Sequence, residues 1–307
     1  MEKFNPLVSI VIPAYNASNF IREALDSALN QTYKNVEIVV VNDGSTDNGE
    51  TEKICLSYGD KIRYYKKENG GCSSALNYAI KVAKGDYISW LSHDDLYENN
   101  KIEHQISLYE EKKLDKTNTI ISNHGKLINS NGEIIPHPFH NIDKFYNGFD
   151  SYKFLMYRFC YNGCGLLLPK NLFTENNMWF DETMRFVLDW NMWLKFVLNG
   201  VSVYIDSAYL VKNRVHGGQV TVKQKQLYNT ETEQTILQLF EIVKQKPKEY
   251  LDVLYIYAYA RKSPHFEKIK LYYKENKLSR PRCKAQRKRL KFTFINFAKK
   301  IYHKIIK

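Results

Sequence analysis

Residues 87–97 read YISWLSHDDLY: a strand-like apolar run, Tyr87 to Leu91, that stops abruptly in Ser92-His93-Asp94-Asp95. Two carboxylates at the end of a buried strand are costly to desolvate unless they meet a partner. The stretch therefore asks for a cation or for hydrogen-bond donors at that strand end. Upstream, the same grammar repeats. Leu7 to Ile12 is a buried strand stopped by Pro13, and Phe20, Ile21, Ala24, Leu25 and Ala28 fall at helical spacing. Val36 to Val41 is a β-branched strand ended by the turn formers NDGSTDN, 42–48. A short helix over 50–57, a strand over 62–65 and a helix with the stripe Ala75, Leu76, Ala79, Ile80 and Ala83 complete the series. Strands alternating with helices predict right-handed βαβ crossovers and a mostly parallel α/β sheet flanked by helices. Such sheets bind ligands beyond the carboxyl ends of their strands. Asp43 and Asp94-Asp95 both stand there.

After about residue 115 the pattern loosens. Asn131-Gly132 signals a hairpin, Gly165 to Leu168 and Val201 to Ile205 read as strands, and Asp189 opens a helix carrying Trp190, Trp193, Phe196 and Val197 on one side. Residues 228–275 read as helices rich in Tyr, Leu and Ile. The 307 residues, 44% hydrophobic and 14% aromatic, suffice for a sizeable core. The start reads as lacking a signal peptide, and no apolar run approaches the roughly 18 residues of a membrane span. Five cysteines without zinc-ligand spacing read as reduced thiols in a cytoplasmic protein.

Four segments act as a set: VSIVIPAYN (8–16), VVVNDGSTDN (39–48), WLSHDD (90–95) and VLDWNMWL (187–194). Together they resemble family 2 of the glycosyltransferases, nucleotide-sugar enzymes of the GT-A fold, over roughly residues 6–220. The resemblance implies a Rossmann-like catalytic domain over 1–220, with a nucleotide half to about 115 and an acceptor half over 116–220. A helical extension over 221–276 and a tail over 277–307 follow.

What the resemblance implies for single residues can be weighed against their own chemistry. Pro13 and Ala14 shape the end of the first strand, Tyr15 packs on the nucleotide base, and Asn16 belongs to the same loop. Asp43 accepts hydrogen bonds from the base or ribose, as an acceptor-only carboxylate can; on its residues alone it also reads as an Asx-turn. Asn69, Gly70 and Gly71 form a donor-side turn where backbone approaches the sugar nucleotide. Ser92, His93 and Asp94 are implied in nucleotide-sugar binding, where the Ser92 hydroxyl can bond a ribose or a metal-bound water. The metal set implied for Mn²⁺ or Mg²⁺ is Asp94, Asp95 and His216, the last from NRVHGGQVT (213–221). Ser92 stands where the family has a first acid, and His93 reads as incidental. Consecutive side chains at a strand end point to opposite sides, so both acids need not reach the ion. Asp189 corresponds to the catalytic base, although an Asp at a helix start is also an ordinary N-cap, and Leu188 replaces the family's preceding Glu. Trp190 and Trp193 are expected to supply an apolar wall beside Asp189. Asn162, Gly163, Cys164 and Trp190 are implied on the acceptor side.

The net charge of +12 is unevenly held, for residues 277–307 carry twelve Lys and Arg and no acid, leaving the body neutral. Leu290, Phe294, Phe297, Ala298, Ile301 and Ile305 share one helical face there, which suits an anionic membrane surface. The tail can also stay solvated or pack on a second copy of the chain in a homo-oligomer. It lacks the aromatic platform of single-strand binders, so nucleic acid is not an expected partner. A dinucleotide oxidoreductase is disfavoured because VIPAYNAS has no glycine, and a P-loop is missing. The absence of Gln-x-x-Arg-Trp disfavours a processive synthase. The expectation is an inverting, metal-dependent transferase moving one sugar from a UDP-hexose or UDP-N-acetylhexosamine, with dTDP-rhamnose as another donor. The acceptor is a glycan or lipid-linked oligosaccharide in bacterial surface polysaccharide synthesis, at the inner face of the membrane. The competing reading is a catalytically weak scaffold subunit of such a pathway.

Overall fold

The structure, a computed structural model, describes residues 4–137, 142–157, 161–217 and 225–281. Its first hundred residues build β1 (Val8–Ala14), α1 (Ile21–Leu29), β2 (Val36–Asp43), α2 (Glu50–Leu56), β3 (Arg63–Lys67), α3 (Cys72–Val82) and β4 (Tyr87–Trp90). These four strands pair in parallel in the order β3-β2-β1-β4. Their carboxyl ends therefore open on one side of the molecule, which is where Asp43 and the 92–95 turn arrive.

β1 runs two residues beyond the expected stop. Pro13 pairs with Val41 of β2, while the ladder to β4 ends at Val11. On the β4 side no partner awaits the N–H that proline lacks, so the ring is tolerated in a central strand. The two faces of β1 feed two cores. Val8, Ile10 and Ile12 pack with Ile21, Ala24 and Leu25 of α1, whereas Val11 joins Val39, Val41 and the Ala75, Leu76, Ala79 stripe of α3. Burial on both faces explains why these strands read as continuous apolar runs.

Beyond β4 follow β5 (Leu96–Tyr97), α4 (Lys101–Glu111), β6 (Thr119–Ile128), β7 (Ile134–Ile135), β8 (Lys144–Tyr146), α5 (Gly148–Tyr157), β9 (Leu166–Pro169), α6 (Asn171–Thr174), α7 (Leu188–Leu198) and β10 (Ser202–Arg214). The sheet continues β4-β9-β6-β10-β5, with β7 on β6 and β8 on β10. Here it is mixed: β6 and β10 are parallel, while β9 is antiparallel to both β4 and β6. The Asn131-Gly132 hairpin joins β6 to β7, with Gly132 at φ +84°.

The strand expected over 201–205 is in fact the 13-residue β10. Asp206, Lys212, Asn213 and Arg214 break its apolar pattern, which hides its second half from a periodicity reading. A register shift after Ile205 lets the strand continue to Arg214. Its far end is thereby delivered to the 92–95 turn.

The chain then forms α8 (Lys225–Val243), α9 (Lys248–Arg261) and α10 (Phe266–Glu275). Ile236, Leu239, Leu254 and Tyr273 from these helices share one hydrophobic cluster with Leu155 of α5 and Trp193 of α7. They are part of the main core. Among the described residues no helix is long and apolar enough to cross a membrane. The amphipathic face proposed for 290–305 lies outside the described residues.

Candidate functional site

The donor side is organised by Asp43, which is 3% exposed at the end of β2. Its Cα is in register with Lys67 of β3, so the two side chains meet: Lys67 Nζ donates to Asp43 Oδ1 at 2.8 Å. The same oxygen accepts from Gly70 N at 3.0 Å, and Oδ2 accepts from Gly71 N at 2.6 Å. Asn69 Nδ2 donates to the Asp43 carbonyl at 2.9 Å. Asp43 thus closes the 69–71 turn onto the strand end. Beside it, Tyr15 follows β1 as an exposed aromatic residue, 44% accessible. Asn16, at φ +47°, receives Thr46 N on Oδ1 at 2.7 Å and gives its own N–H to Ser45 Oγ at 2.9 Å. It braces the two strand-end loops together.

The 92–95 turn divides its acids. Asp95 is buried, and its oxygens are taken by Arg214 N at 2.8 Å, Asn213 Nδ2 at 2.8 Å and the Cys164 thiol at 3.1 Å. Burial, and then the charge of Asp94, push its carboxyl up. Asp95 therefore fastens the turn to β10. Asp94 faces the other way, and Oδ2 lies 3.0 Å from Nε2 of His216. The two residues are separated by 122 positions in the chain. Arg214 makes this meeting possible. Its fully buried guanidinium donates to the Asp94 carbonyl at 2.9 Å, to Ser130 O at 2.8 Å and to Glu23 Oε2 at 2.7 Å. It also stacks over Phe20 at 4.6 Å. His93 tucks against the Pro13 carbonyl, and burial lowers its pKa, so its imidazole is held neutral.

Among the described residues no group of three or more His, Cys, Asp or Glu is placed to hold a metal ion. Asp94 and His216 alone still fit one. They bring a carboxylate oxygen and an imidazole nitrogen together at 3.0 Å, in a mutual contact that an ion bound to both would replace. An imidazole in the pair suits Mn²⁺ better than Mg²⁺.

Asp189 sits in the first turn of α7, where its Oδ1 accepts from Trp190 N at 2.7 Å. Cys72, at the start of α3, has its pKa pushed up to about 12, first by burial and then by the charges of Asp189, Asp43 and Asp94. The charges of Asp189, Asp43 and Asp94 thus all act on the start of α3. Glu231 of α8 holds the segment before Asp189: its buried carboxylate accepts from the backbone N–H groups of Arg185, Phe186 and Val187 at 2.7, 2.7 and 2.9 Å. These are orphan donors ahead of α7, satisfied from a distant helix.

On the presumed acceptor side, Asn162 caps the 163–165 turn through Cys164 N at 3.1 Å and donates to Asn213 Oδ1 at 2.7 Å. Gly163 lies flat on Trp90, whose ring stands 2.6 Å from where a Cβ would be. Cys164 is buried, and its thiol is kept protonated by burial and by Asp95. Asn162 and Cys164 thus reach the 92–95 turn through Asn213 and Asp95. Trp190 is seated in the core: its Nε1 donates to Leu155 O at 3.2 Å and its ring packs on Tyr257 at 5.8 Å. Trp193 is likewise in the core, with Nε1 on Tyr161 O at 3.2 Å. Residues that no sequence motif singled out, Lys67, Arg185, Arg214 and Glu231, complete the arrangement. Gly218 and residues 219–221 of the NRVHGGQVT segment lie outside the described residues, as do Cys160 and Cys283.

Residues 9–166 match the family described as Glycosyl transferase family 2. An uncharacterized glycosyltransferase of Rickettsia bellii is 50% identical over 223 residues, which cover 73% of this chain and 32% of that protein. The hyaluronan synthase of Pasteurella multocida is 34% identical over 226 residues, 71% of this chain and 21% of that one. The chain thus spans about a third or less of the length of these relatives. Among solved structures, S. aureus TarS residues 1–349 in complex with UDP-GlcNAc superposes with a TM-score of 0.62 at 17% identity, covering 88% of this chain and 92% of that one. That likeness establishes a shared fold.

Proposed function

The chain belongs to glycosyl transferase family 2, and from that premise we propose that it is an inverting glycosyltransferase that moves one sugar from a UDP-sugar to a glycan or lipid-linked acceptor. The observation that carries the reading is the 3.0 Å approach of Asp94 to His216, two residues the family resemblance assigns to the same ion. Asp94 and His216 would hold Mn²⁺ or Mg²⁺. When bound, such an ion neutralises the charge that builds on a departing diphosphate. Tyr15 offers its exposed face to the base, and Asp43 keeps the 69–71 turn in place beneath the donor.

Asp189 accepts the proton of the acceptor hydroxyl as that oxygen bonds to the anomeric carbon. The bond from that carbon to the diphosphate breaks on the opposite face, which inverts the centre through an oxocarbenium-like transition state. The relatives named hyaluronan synthase, in Pasteurella, and minor teichoic acid biosynthesis protein, in Bacillus subtilis, support a role in surface polysaccharide synthesis. UDP-hexose and UDP-N-acetylhexosamine are the donors to try first. The basic 277–307 tail would keep the enzyme at the cytoplasmic leaflet.

Ser92 and Leu188, in place of acids, favour one rival, a scaffold subunit that binds a donor without turning it over. Asp189→Asn separates the two. It should abolish sugar transfer while UDP still raises the thermal midpoint in the presence of Mn²⁺; near-full activity in this variant would overturn the mechanism.

A further inference from the structure

One cation at this site has no role in the scheme above. Arg185 lies four residues before Asp189, on the segment that Glu231 anchors through three backbone bonds. Its guanidinium is laid over Gly71, occupying the space of a side chain: a Cβ there would fall 1.3 Å from Nη1. Gly71, at φ +86°, tolerates this because it has no side chain. Arg185 is also the cation whose charge opposes those of Asp189, Asp43 and Asp94 at Cys72. Its guanidinium thus lies against the turn whose Gly71 N–H is held by Asp43.

Yet Arg185 is an exposed residue, and among the described residues no carboxylate lies within salt-bridge distance of it. Asp43 is matched by Lys67 at 2.8 Å, and Asp94 by His216 at 3.0 Å. A guanidinium presents five donors in a planar fork that suits the two oxygens of a phosphate or a carboxylate. Holding it at its backbone, over a glycine that has no side chain, is the arrangement for meeting an anion that arrives from outside.

We propose that Arg185 is the receptor for an oxyanion of the donor, resting on the transferase reading above. A diphosphate and a carboxylate on the sugar share that chemistry, and the test separates them. The full chain and its Arg185→Gln and Arg185→Lys variants are titrated calorimetrically, in Mn²⁺, with uridine, UDP, UDP-glucose and UDP-glucuronate. Receipt of the diphosphate predicts that Arg185→Gln weakens UDP by about tenfold to a hundredfold while uridine is unchanged. Receipt of a sugar carboxylate predicts unchanged UDP and the loss of any preference of the parent for UDP-glucuronate over UDP-glucose. In either case Arg185→Lys retains part of the affinity, which a merely structural role would not produce. Equal affinities of parent and Arg185→Gln for all four compounds would overturn the proposal. A parent protein that binds none of them defeats the transferase reading itself. Because Arg185 is exposed, the variant should keep the parental thermal midpoint, which the same samples report.

Discussion

Replacing Glu231 by Gln tests whether the C-terminal helices support the catalytic segment. Glu231 is 2% exposed, and its carboxylate accepts three backbone N–H groups, from Arg185, Phe186 and Val187. Gln has the same shape but a single acceptor oxygen. With that oxygen on the Phe186 and Val187 donors, its amide N–H₂ is turned against the N–H of Arg185. One charge-assisted bond, about 1.5–3 kcal/mol, is lost, and a buried donor is left unpaired. We expect a destabilisation of about 2–4 kcal/mol. At about 2–4 °C per kcal/mol for a chain of this order, the thermal midpoint should fall by roughly 4–16 °C. Asp189 lies in the first turn of α7, two residues beyond the clamp, so its position should loosen as well. A misplacement on the order of 1 Å costs about a hundredfold in rate. Initial rates of UDP release from the nucleotide sugar turned over by the parent should show kcat reduced at least tenfold, with donor KM within about threefold. A midpoint within about 1 °C of the parent, with unchanged kcat, would refute the clamp.

Gly71→Ala should raise donor KM at least tenfold, because the new methyl meets Arg185 and the residue sits at φ +86°; a steady-state rate series in donor concentration checks this. Lys101 is fully buried against Ser89, Gln105 and the Tyr97 ring, and burial lowers its pKa from 10.5 to about 7. Above pH 7 the unfolded chain holds a proton that the folded chain does not, so this lysine makes stability rise with pH toward 10.5, by up to about 1.4 kcal/mol per unit. Denaturant unfolding between pH 7.5 and 9 should show that rise in the parent relative to Lys101→Met, and parallel pH profiles would contradict it. Arg214→Met should cost about 3 kcal/mol, since it leaves the Asp94 and Ser130 carbonyls unpaired. It should also weaken Mn²⁺ binding by freeing Asp94 and His216 from their common support, as a calorimetric titration would record.

The first half of the fold was legible because β1, β2 and β4 are buried on both faces and read as unbroken apolar runs. The ends of β2 and β4 pointed to Asp43 and Asp94 for the same reason. β10 was only half legible, since Asp206, Asn213 and Arg214 are polar residues whose partners lie in other elements. Arg214 carried no signal of its own, although it stands in a quoted motif: its value comes from Glu23, Asp94 and Ser130, which only folding assembles. Glu231 was invisible too, because YNTETEQTIL has two acids, Glu231 and Glu233, on one helix and nothing marks the one that turns inward. The adjacent acids Asp94 and Asp95 illustrate the limit of a strand-end motif. Alternation predicts that they diverge, but the contacts of Cys164 and Asn213 decide which of them becomes a strut. Trp190 and Trp193, three apart on α7, carry the spacing of a core stripe, and the core is where both indoles lie.

The most direct measurement is the Mn²⁺ dependence of sugar transfer in the parent protein and in Asp94→Asn. The account predicts no transfer in chelator, recovery on adding Mn²⁺, and a metal requirement raised at least a hundredfold in the variant at an unaltered thermal midpoint. Full transfer in chelator, or superimposable Mn²⁺ titrations for the two proteins, would contradict it.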